Sequence, residues 1–136
     1  MKKLYLNGPY GLCWAVLYCL LSLSPAHSNS KVFLESELAP ELRLALSKLQ
    51  RELGTSLYYT SGYRPPTHPI EAIKPKPGTH ARRIAVDIAC NGNFISCDTI
   101  HTYALKHFDG IGRYNTHIHL DLRGYPARWD KRTNRK

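Results

Sequence analysis

The segment 116–122 alternates between polar and apolar side chains, and this pattern constrains the fold more than any other in the chain. Successive side chains of a β-strand point to opposite faces of the sheet, so such a segment has one apolar and one polar face. The apolar face consists of Ile118, Leu120 and Leu122. The polar face consists of His117, His119 and Asp121. We therefore predict a strand that packs on a core and carries three titratable groups in a row on an open face.

Apolar side chains at three- and four-residue steps predict an amphipathic helix over residues 36–53. Ser36 is its expected N-cap, and Gly54 is its expected end. A second, shorter helix is predicted over residues 98–107, with Asp98 as its N-cap. Both helices have an apolar face, so both are expected to pack on the sheet.

The other strands follow from short runs of apolar and aromatic residues bounded by turn residues. They are predicted at residues 56–60, 84–89 and 110–114. A loop with five prolines is expected over residues 61–78, and the tail 128–136 is expected to be frayed. The order helix, strand, strand, helix, strand, strand predicts a single α+β domain with a small, mainly antiparallel sheet and flanking helices.

Residues 1–28 have the pattern of a signal peptide. Two lysines precede an uncharged apolar stretch that is too short to span a bilayer comfortably, and Ala26 and Ser28 supply small residues for cleavage. We expect a mature domain of residues 29–136 that is periplasmic or secreted and has no stable membrane insertion after cleavage. The alternative is a leader that stays in place as an uncleaved anchor.

The mature chain is basic and long enough for one core. Removal of the two lysines with the leader lowers the formal net charge from +9 to about +7. A basic surface favours polyanions such as wall polymers, anionic lipid or nucleic acid. We expect no specific nucleic-acid partner, because the chain has no basic stripe interleaved with aromatic residues, and a nucleic-acid binder is the weakest alternative. A domain of this size buries about 65% of its unfolded surface, and we expect a monomer.

Two of the four cysteines, Cys90 and Cys97, remain after the leader is removed. In an oxidising compartment we predict that they form a disulfide, which would contribute about 2.5 kcal/mol by restricting the unfolded chain. A metal-binding role is disfavoured because their spacing fits neither the zinc-ribbon nor the redox pattern.

Four ordered motifs of the chain resemble one enzyme family. They are Ser61-Gly62-Tyr63-Arg64, His80 with Asp87, Gly110-Ile111-Gly112 and Ile118-His119-Leu120-Asp121. In this order they resemble the zinc D-Ala-D-Ala carboxypeptidases, the D-Ala-D-Ala dipeptidases and the phage or bacterial wall endopeptidases of metallopeptidase family fifteen. The resemblance covers roughly residues 56–129, most of the mature chain.

The resemblance implies a cleft with a Zn²⁺ cofactor held by His80, Asp87 and His119. Two imidazoles and one carboxylate leave the fourth tetrahedral position for water, which is typical of a catalytic zinc site. Arg64 matches the family's arginine that steadies the developing oxyanion of the substrate. The alternative for Arg64 is a solvated loop side chain.

The chain departs from the family at two positions. Many relatives carry a glycine at the position of Arg83, so either the backbone differs there or a basic side chain reaches the cleft. Many relatives have an acidic general base at the position of Thr116, and a threonine cannot take a proton from water at neutral pH. His117 and Asp121 are the candidates for this role, because both share a strand face with His119. Asp121 is alternatively a partner that orients the ring of His119.

Together these expectations predict zinc-dependent hydrolysis of amide bonds in peptidoglycan stem peptides or cross-links. Peptidoglycan peptides are the expected partners. D,D and L,D bonds remain open, as do carboxypeptidase and endopeptidase action. The alternative is a non-catalytic, zinc-containing module that binds the cell wall and has lost its general base.

Overall fold

A computed structural model describes residues 35–133 of the chain. The signal peptide predicted over residues 1–28 lies outside these residues, as do the last three positions. A short 3-10 turn, Glu35–Glu37, comes first. The helices are α1 (Pro40–Leu53), α2 (Pro69–Ala72) and α3 (Cys97–Ala104). The strands are β1 (Tyr59–Ser61), β2 (Ala85–Ala89), β3 (Gly110–Arg113), β4 (His117–Asp121) and β5 (Ala127–Asp130).

The five strands form one sheet in the order β1-β2-β4-β3-β5. The β1–β2, β2–β4 and β3–β4 pairs are antiparallel, whereas β5 joins the edge of β3 in parallel. The predicted α+β fold, with one small, mainly antiparallel sheet and accompanying helices, is confirmed. The central strands β2 and β4 carry most of the candidate site, so it lies in the best-supported part of the sheet.

One face of the sheet forms the hydrophobic core with α1 and α3. Its fully buried members are Leu42, Leu46, Leu49, Val86, Ile88, Ile100, Ile111, Ile118 and Leu120. Each such aliphatic side chain contributes about 1.5–3 kcal/mol relative to an exposed position. The apolar face predicted for β4 is therefore confirmed, and its polar face turns away from the core.

The helix boundaries differ from the predictions at their amino ends. Helix α1 begins at Pro40, with Ala39 at the cap position, because proline needs no hydrogen-bond acceptor for its nitrogen and suits a first helical turn. The N-cap predicted at Ser36 is therefore wrong. The predicted end is confirmed: Gly54 adopts a left-handed conformation with φ of 68°. In α3 the N-cap is Ser96, whose hydroxyl accepts from the Thr99 amide, and the cap predicted at Asp98 is wrong.

The prediction that the carboxyl-terminal segment 128–136 is frayed is wrong in part. Residues 127–130 form β5 and pair with β3 from Gly110 to Arg113. The segment Ala-Arg-Trp-Asp alternates between apolar and polar residues over only four positions, and its pairing partner is distant in sequence, so the local pattern is too short to predict the strand. The proline-rich loop likewise contains the single-turn helix α2.

The predicted disulfide between Cys90 and Cys97 is confirmed. It joins the residue after β2 to the first residue of α3. A disulfide fits a protein outside the cytoplasm, where thiols are oxidised. Within residues 35–133, no helix is long and apolar enough to cross a membrane.

Arg83 has a backbone conformation that glycine favours. Among the described residues it is the one non-glycine with a positive φ, 66°. Its guanidinium lies 4.2 Å from the centre of the Tyr63 ring and donates to the Glu37 carbonyl at 3.2 Å. The backbone turn before β2 is thus kept without a glycine, and the side chain points to neighbouring loops rather than into the cleft described below.

We expect Arg83→Gly to be more stable than Arg83→Ala by about 1 kcal/mol. Both variants lose the contacts of the guanidinium, but only glycine relieves the left-handed strain, which costs about 1–2 kcal/mol for other residues. Urea unfolding of the two variants measures the difference. At most helix and strand positions alanine is the more stable of the two, so an alanine variant equal to or above the glycine variant would contradict the strain at this position.

Candidate metal centre

The candidate site lies on the face of the sheet opposite the core. A single row of register partners crosses all five strands: Ser61 pairs with Asp87, Asp87 with His119, His119 with Gly112 and Gly112 with Trp129. Paired residues of neighbouring strands point to the same side of a sheet. Two of the predicted ligands, Asp87 and His119, are therefore adjacent because of strand pairing alone.

His80 reaches the same point from the turn before β2. Its Nε2 lies 3.2 Å from Nδ1 of His119 and 3.3 Å from Oδ1 of Asp87. The third separation, between His119 Nδ1 and Asp87 Oδ1, is 2.9 Å. All three residues are buried, with 4–8% of their surface exposed. The structure therefore brings the three predicted ligands together in a group that could hold a metal ion.

The spacing of the three ligand atoms fits a small tetrahedral ion. Bonds of about 2.0–2.2 Å to zinc place tetrahedral ligand atoms about 3.3–3.6 Å apart. The separation between His80 and Asp87, 3.3 Å, meets this distance, and the one between His80 and His119, 3.2 Å, is just below it. The separation between His119 and Asp87 needs to open by a few tenths of an ångström. Two nitrogen atoms and one carboxylate oxygen are also a common donor set for zinc.

Each of the three ligands is held by a further hydrogen bond on its other side. The Nδ1 atom of His80 lies 2.6 Å from the Gly62 carbonyl, which fixes the proton on Nδ1 and leaves the Nε2 lone pair for the site. The Nε2 atom of His119 lies 2.8 Å from Oδ2 of Asp121. A proton on that nitrogen leaves Nδ1 as the free lone pair. Such partners orient metal-binding histidines and set their tautomers.

Arg64 orients the carboxylate of Asp87 in the same way, by a hydrogen bond from the side away from the two histidines. Its Nη2 donates to Oδ2 of Asp87 at 2.6 Å, while its Nε donates to the Ser61 hydroxyl at 3.0 Å. The remaining oxygen of Asp87, Oδ1, faces the two histidines. The arginine thus favours ligation through one carboxylate oxygen only. The alternative of a solvated loop arginine does not describe this side chain, which is 18% exposed and ion-paired.

The protonation of the site follows from burial and these bonds. Burial alone would raise the pKa of Asp87. When protons rather than a metal ion occupy the facing nitrogens of His119 and His80, their hydrogen bonds to Asp87 outweigh burial and hold that pKa well below its usual range. Burial would lower the pKa of His119, yet its bonds to Asp121 and Asp87 raise it. Asp87 is therefore ionised at neutral pH, and protons compete with a metal ion for His119 to a higher pH than for an ordinary histidine.

Asp121 is completely buried and belongs to a carboxylate–guanidinium pair behind His119. Arg123 donates to it through Nη2 at 2.6 Å, through Nε at 2.9 Å and through its backbone amide at 3.2 Å. Burial would raise the pKa of Asp121, but the hydrogen bonds from Arg123 and His119 lower it below its usual range. The Asp121 carboxylate contacts Nε2 of His119, the ring nitrogen that faces away from Asp87 and His80. This position fits the alternative in which Asp121 orients the His119 ring.

The two glycines of the Gly110-Ile111-Gly112 motif create the space for these side chains. A Cβ atom on Gly110 would overlap the Asp121 carboxylate, and one on Gly112 would overlap the Trp129 ring. Trp129 fills the place above Gly112 and lies beside His119, with ring centres 5.4 Å apart. The prediction of an open strand face is therefore wrong for His119 and Asp121. Trp129 lies beside His119, and the Asp121 carboxylate is buried against His119 and Arg123.

An open cleft of about 390 Å³ lies in front of the three ligands. Its lining combines basic, histidine and aromatic side chains: Arg64, Ile70, Lys74, Thr79, His80, Asp87, Tyr114, His117, His119, Arg123 and Trp129. Ile70 and Lys74 come from the proline-rich loop. Sequence analysis missed Lys74, Tyr114, Arg123 and Trp129. The only local signal is Gly112 of the Gly-x-Gly motif, which leaves room for Trp129.

His117 lines the same cleft, one strand step from His119. Its ring stacks on Tyr114 with centres 4.4 Å apart and planes 11° apart. Its Nδ1 lies 3.1 Å from the Thr116 hydroxyl. Burial lowers the pKa of His117 and exceeds the opposite influence of Asp87. The imidazole is therefore neutral at pH 7 and has a lone pair with which to accept a proton.

We expect Asp121→Asn to weaken zinc binding by about tenfold to a hundredfold while the protein stays folded. An asparagine that accepts from Arg123 must turn its amide N–H groups towards His119, which favours a proton on Nδ1 and removes the lone pair from the site. Competition with a chromogenic zinc chelator measures the affinity.

Asp130→Asn is a closely matched control for this substitution. Arg132 binds Asp130 through its backbone amide, Nε and Nη2 in the same pattern as Arg123 binds Asp121, but Asp130 does not line the cleft. We expect its zinc affinity to stay near that of the unchanged protein. Equal losses in the two variants would show that the aspartate acts on the fold rather than on the tautomer of His119.

Comparison of the chain with known proteins finds no matching protein-family model, no matching curated protein and no matching solved structure. The family resemblance therefore stays an expectation from motifs. The geometry of the three ligands and of the cleft is the independent observation on which a function can be proposed.

Proposed function

We propose that this protein is a zinc-dependent hydrolase of amide bonds in peptidoglycan stem peptides or cross-links. The observation that carries the proposal is the convergence of three lone-pair atoms, from His80, Asp87 and His119, at one point of an open cleft. Each ligand is oriented from behind, and the cleft leaves room for substrate on the other side. Three protein ligands with an open fourth position are typical of catalytic rather than structural zinc.

Two side chains beside the ligands have the positions needed for hydrolysis. A zinc ion bound there supplies Lewis-acid chemistry, acidifying a water molecule and polarising the scissile carbonyl. We assign His117 as the general base: with Nδ1 beside the Thr116 hydroxyl, Nε2 is the nitrogen left to accept a proton from water. Asp121 is buried behind His119 and takes the orienting role instead.

Arg64 is the group that we assign to the developing oxyanion. Its Nε and Nη2 are occupied by Ser61 and Asp87, which hold the guanidinium rigidly at the edge of the cleft. The remaining Nη1 is the donor that we assign to the substrate oxygen. A donor fixed before the reaction stabilises the transition state without reorganising during it.

The charge of the cleft supports a peptide substrate with free carboxylates, as wall peptides have. Three cations line it, Arg64, Lys74 and Arg123, and each is paired with an acid. In every pair the acidic side chain is the more deeply buried one, at 8%, 1% and 0% exposure against 18%, 36% and 21% for the cation. The cations therefore present positive charge to the cleft.

A non-catalytic wall-binding module is the second candidate. The observation that favours it is the position of Thr116, where many relatives of the resembled family carry an acid. Among the described residues that line the cleft, Asp87 is the one carboxylate, and it is a predicted ligand. In this alternative the zinc site remains, and the basic cleft holds wall peptide without cutting it.

Incubation of the zinc-loaded mature domain with purified cell-wall sacculi tests the proposal. We expect new peptides in the supernatant, and their masses identify the bond that is cut. The metal-stripped protein and the same protein reloaded with zinc are the controls. Sacculi that are bound but not cut would select the binding module, and turnover without zinc would contradict the metal mechanism.

A further inference from the structure

Tyr114 occupies a central place in the cleft that the roles above do not use. It follows β3, and its ring stacks on His117. It lines the metal cleft and also a second depression of about 200 Å³ beside the disulfide, so it stands where the two meet. A side chain in this position can contact a ligand that extends away from the metal centre.

The hydroxyl of Tyr114 has a defined hydrogen-bonding state. Nε1 of Trp129 lies 2.9 Å from its oxygen. An indole nitrogen can only donate, so the tyrosine oxygen accepts this bond and keeps its own proton for another partner. Across residues 35–133 no side chain or carbonyl accepts that proton. The hydroxyl is therefore an uncommitted donor in the wall of the cleft.

Strand β5 is the cause of this arrangement. Its parallel pairing places Trp129 opposite Gly112, where the absent side chain admits the indole ring. The indole N–H then reaches Tyr114, two residues further along from Gly112. A bond accepted by a hydroxyl oxygen polarises the O–H group and strengthens it as a donor. Strand β5, which the sequence did not predict, thus orients the Tyr114 hydroxyl and strengthens it as a donor at the cleft.

We propose that Tyr114 is a further catalytic residue, whose O–H donates a hydrogen bond to an oxygen of the ligand bound at the metal centre. In the hydrolase this oxygen belongs to the peptide at or beside the scissile carbonyl, and this part rests on the proposed function. Tyr114 and Arg64 then contact substrate oxygen atoms from different elements. The ring of Tyr114 also supports His117 by stacking, a role that does not need the hydroxyl.

Acetohydroxamate, a small zinc chelator with two oxygen acceptors, tests the donor without requiring turnover. We expect calorimetry to show that it binds the zinc-loaded protein about tenfold more weakly after Tyr114→Phe, as for loss of one hydrogen bond to an anionic ligand. Zinc content should stay at one ion per chain. Turnover of sacculi by this variant should fall by about tenfold to a hundredfold, mainly in kcat.

Tyr58→Phe is the matched control, because it removes the hydroxyl of an exposed tyrosine that does not line the cleft. We expect it to weaken acetohydroxamate binding less than threefold. Equal losses in the two variants would overturn the proposal, since the loss would then not depend on a hydroxyl in the cleft. The double variant Tyr114→Phe with Trp129→Phe leaves no unpaired indole N–H, and it takes the place of Tyr114→Phe if that variant is unstable.

The outcomes separate this inference from the proposed function. Tyrosine-dependent binding of acetohydroxamate without any cutting of sacculi would remove the hydrolase and keep Tyr114 as a ligand donor. Cutting of sacculi that is unaffected by Tyr114→Phe would keep the hydrolase and overturn the inference. Failure of the zinc-loaded, unchanged protein to bind acetohydroxamate would also overturn it.

Discussion

Replacing His80 by alanine should lower zinc content from one ion per chain to nearly none and abolish hydrolysis of sacculi. Structural zinc sites with four protein ligands have binding free energies of about 10–16 kcal/mol, which is several kcal/mol per ligand, so we expect the loss of one ligand to weaken binding by about a thousandfold. His119 and Asp87 would remain 2.9 Å apart, but two ligands do not hold zinc against a competing chelator. Metal analysis after dialysis with a chelator measures the effect.

The same substitution should also destabilise the metal-free fold, by about 1–3 kcal/mol. His80 is buried, and its Nδ1 donates to the Gly62 carbonyl, which would be left without this partner. His107→Ala is the control, because that imidazole pairs with Glu52 and lies outside the site. We expect the control to keep its zinc. Unchanged metal content in His80→Ala would refute the metal centre.

Replacing His117 by alanine should lower kcat by about a hundredfold to ten-thousandfold and leave zinc affinity nearly unchanged. This range is the usual contribution of a positioned general base. His117 lines the cleft but is not one of the three converging ligands, so its loss should not release the metal. Turnover of sacculi and chelator competition on the same preparation measure the two quantities separately.

His117→Phe separates base catalysis from packing. A phenyl ring can keep the stack on Tyr114 but has no nitrogen to accept a proton. We expect it to be as inactive as the alanine variant, and activity near that of the unchanged protein would exclude His117 as the base. Its pKa lies below the ordinary value for histidine, so in the unchanged protein the acidic limb of the pH–rate profile attributable to His117 should fall below about pH 6.5.

Thr116→Glu is the decisive follow-up if the unchanged protein binds zinc yet cuts nothing. A carboxylate at this position restores the acid that many relatives of the resembled family carry. Activity that appears only in this variant would show that the fold keeps a working metal site and lacks just its base. In that case the binding module becomes the function of the natural chain.

Local pattern was sufficient to predict much of this protein. The alternation over 116–122 predicted β4 and the face of each of its side chains, because strand geometry has a period of two residues. Gly54 predicted the end of α1, because glycine adopts the left-handed conformation at low cost. The disulfide was predicted from two cysteines in a chain that we expected to be exported. The three candidate metal ligands were predicted from ordered motifs, and the structure brings them together.

Tertiary structure alone decided which groups surround those ligands. The alternation within β5 is only four residues long, too short to predict a strand, and the strand is defined by the pairing of its backbone with β3. That pairing brings Trp129 over Gly112, buries one side of His119 and gives Tyr114 its donor state. Tertiary structure also separates Asp121 from His117: Asp121 is buried behind His119, whereas His117 lines the cleft. Both lie on one strand face, and only the register of the neighbouring strands determines which of them solvent and substrate can reach.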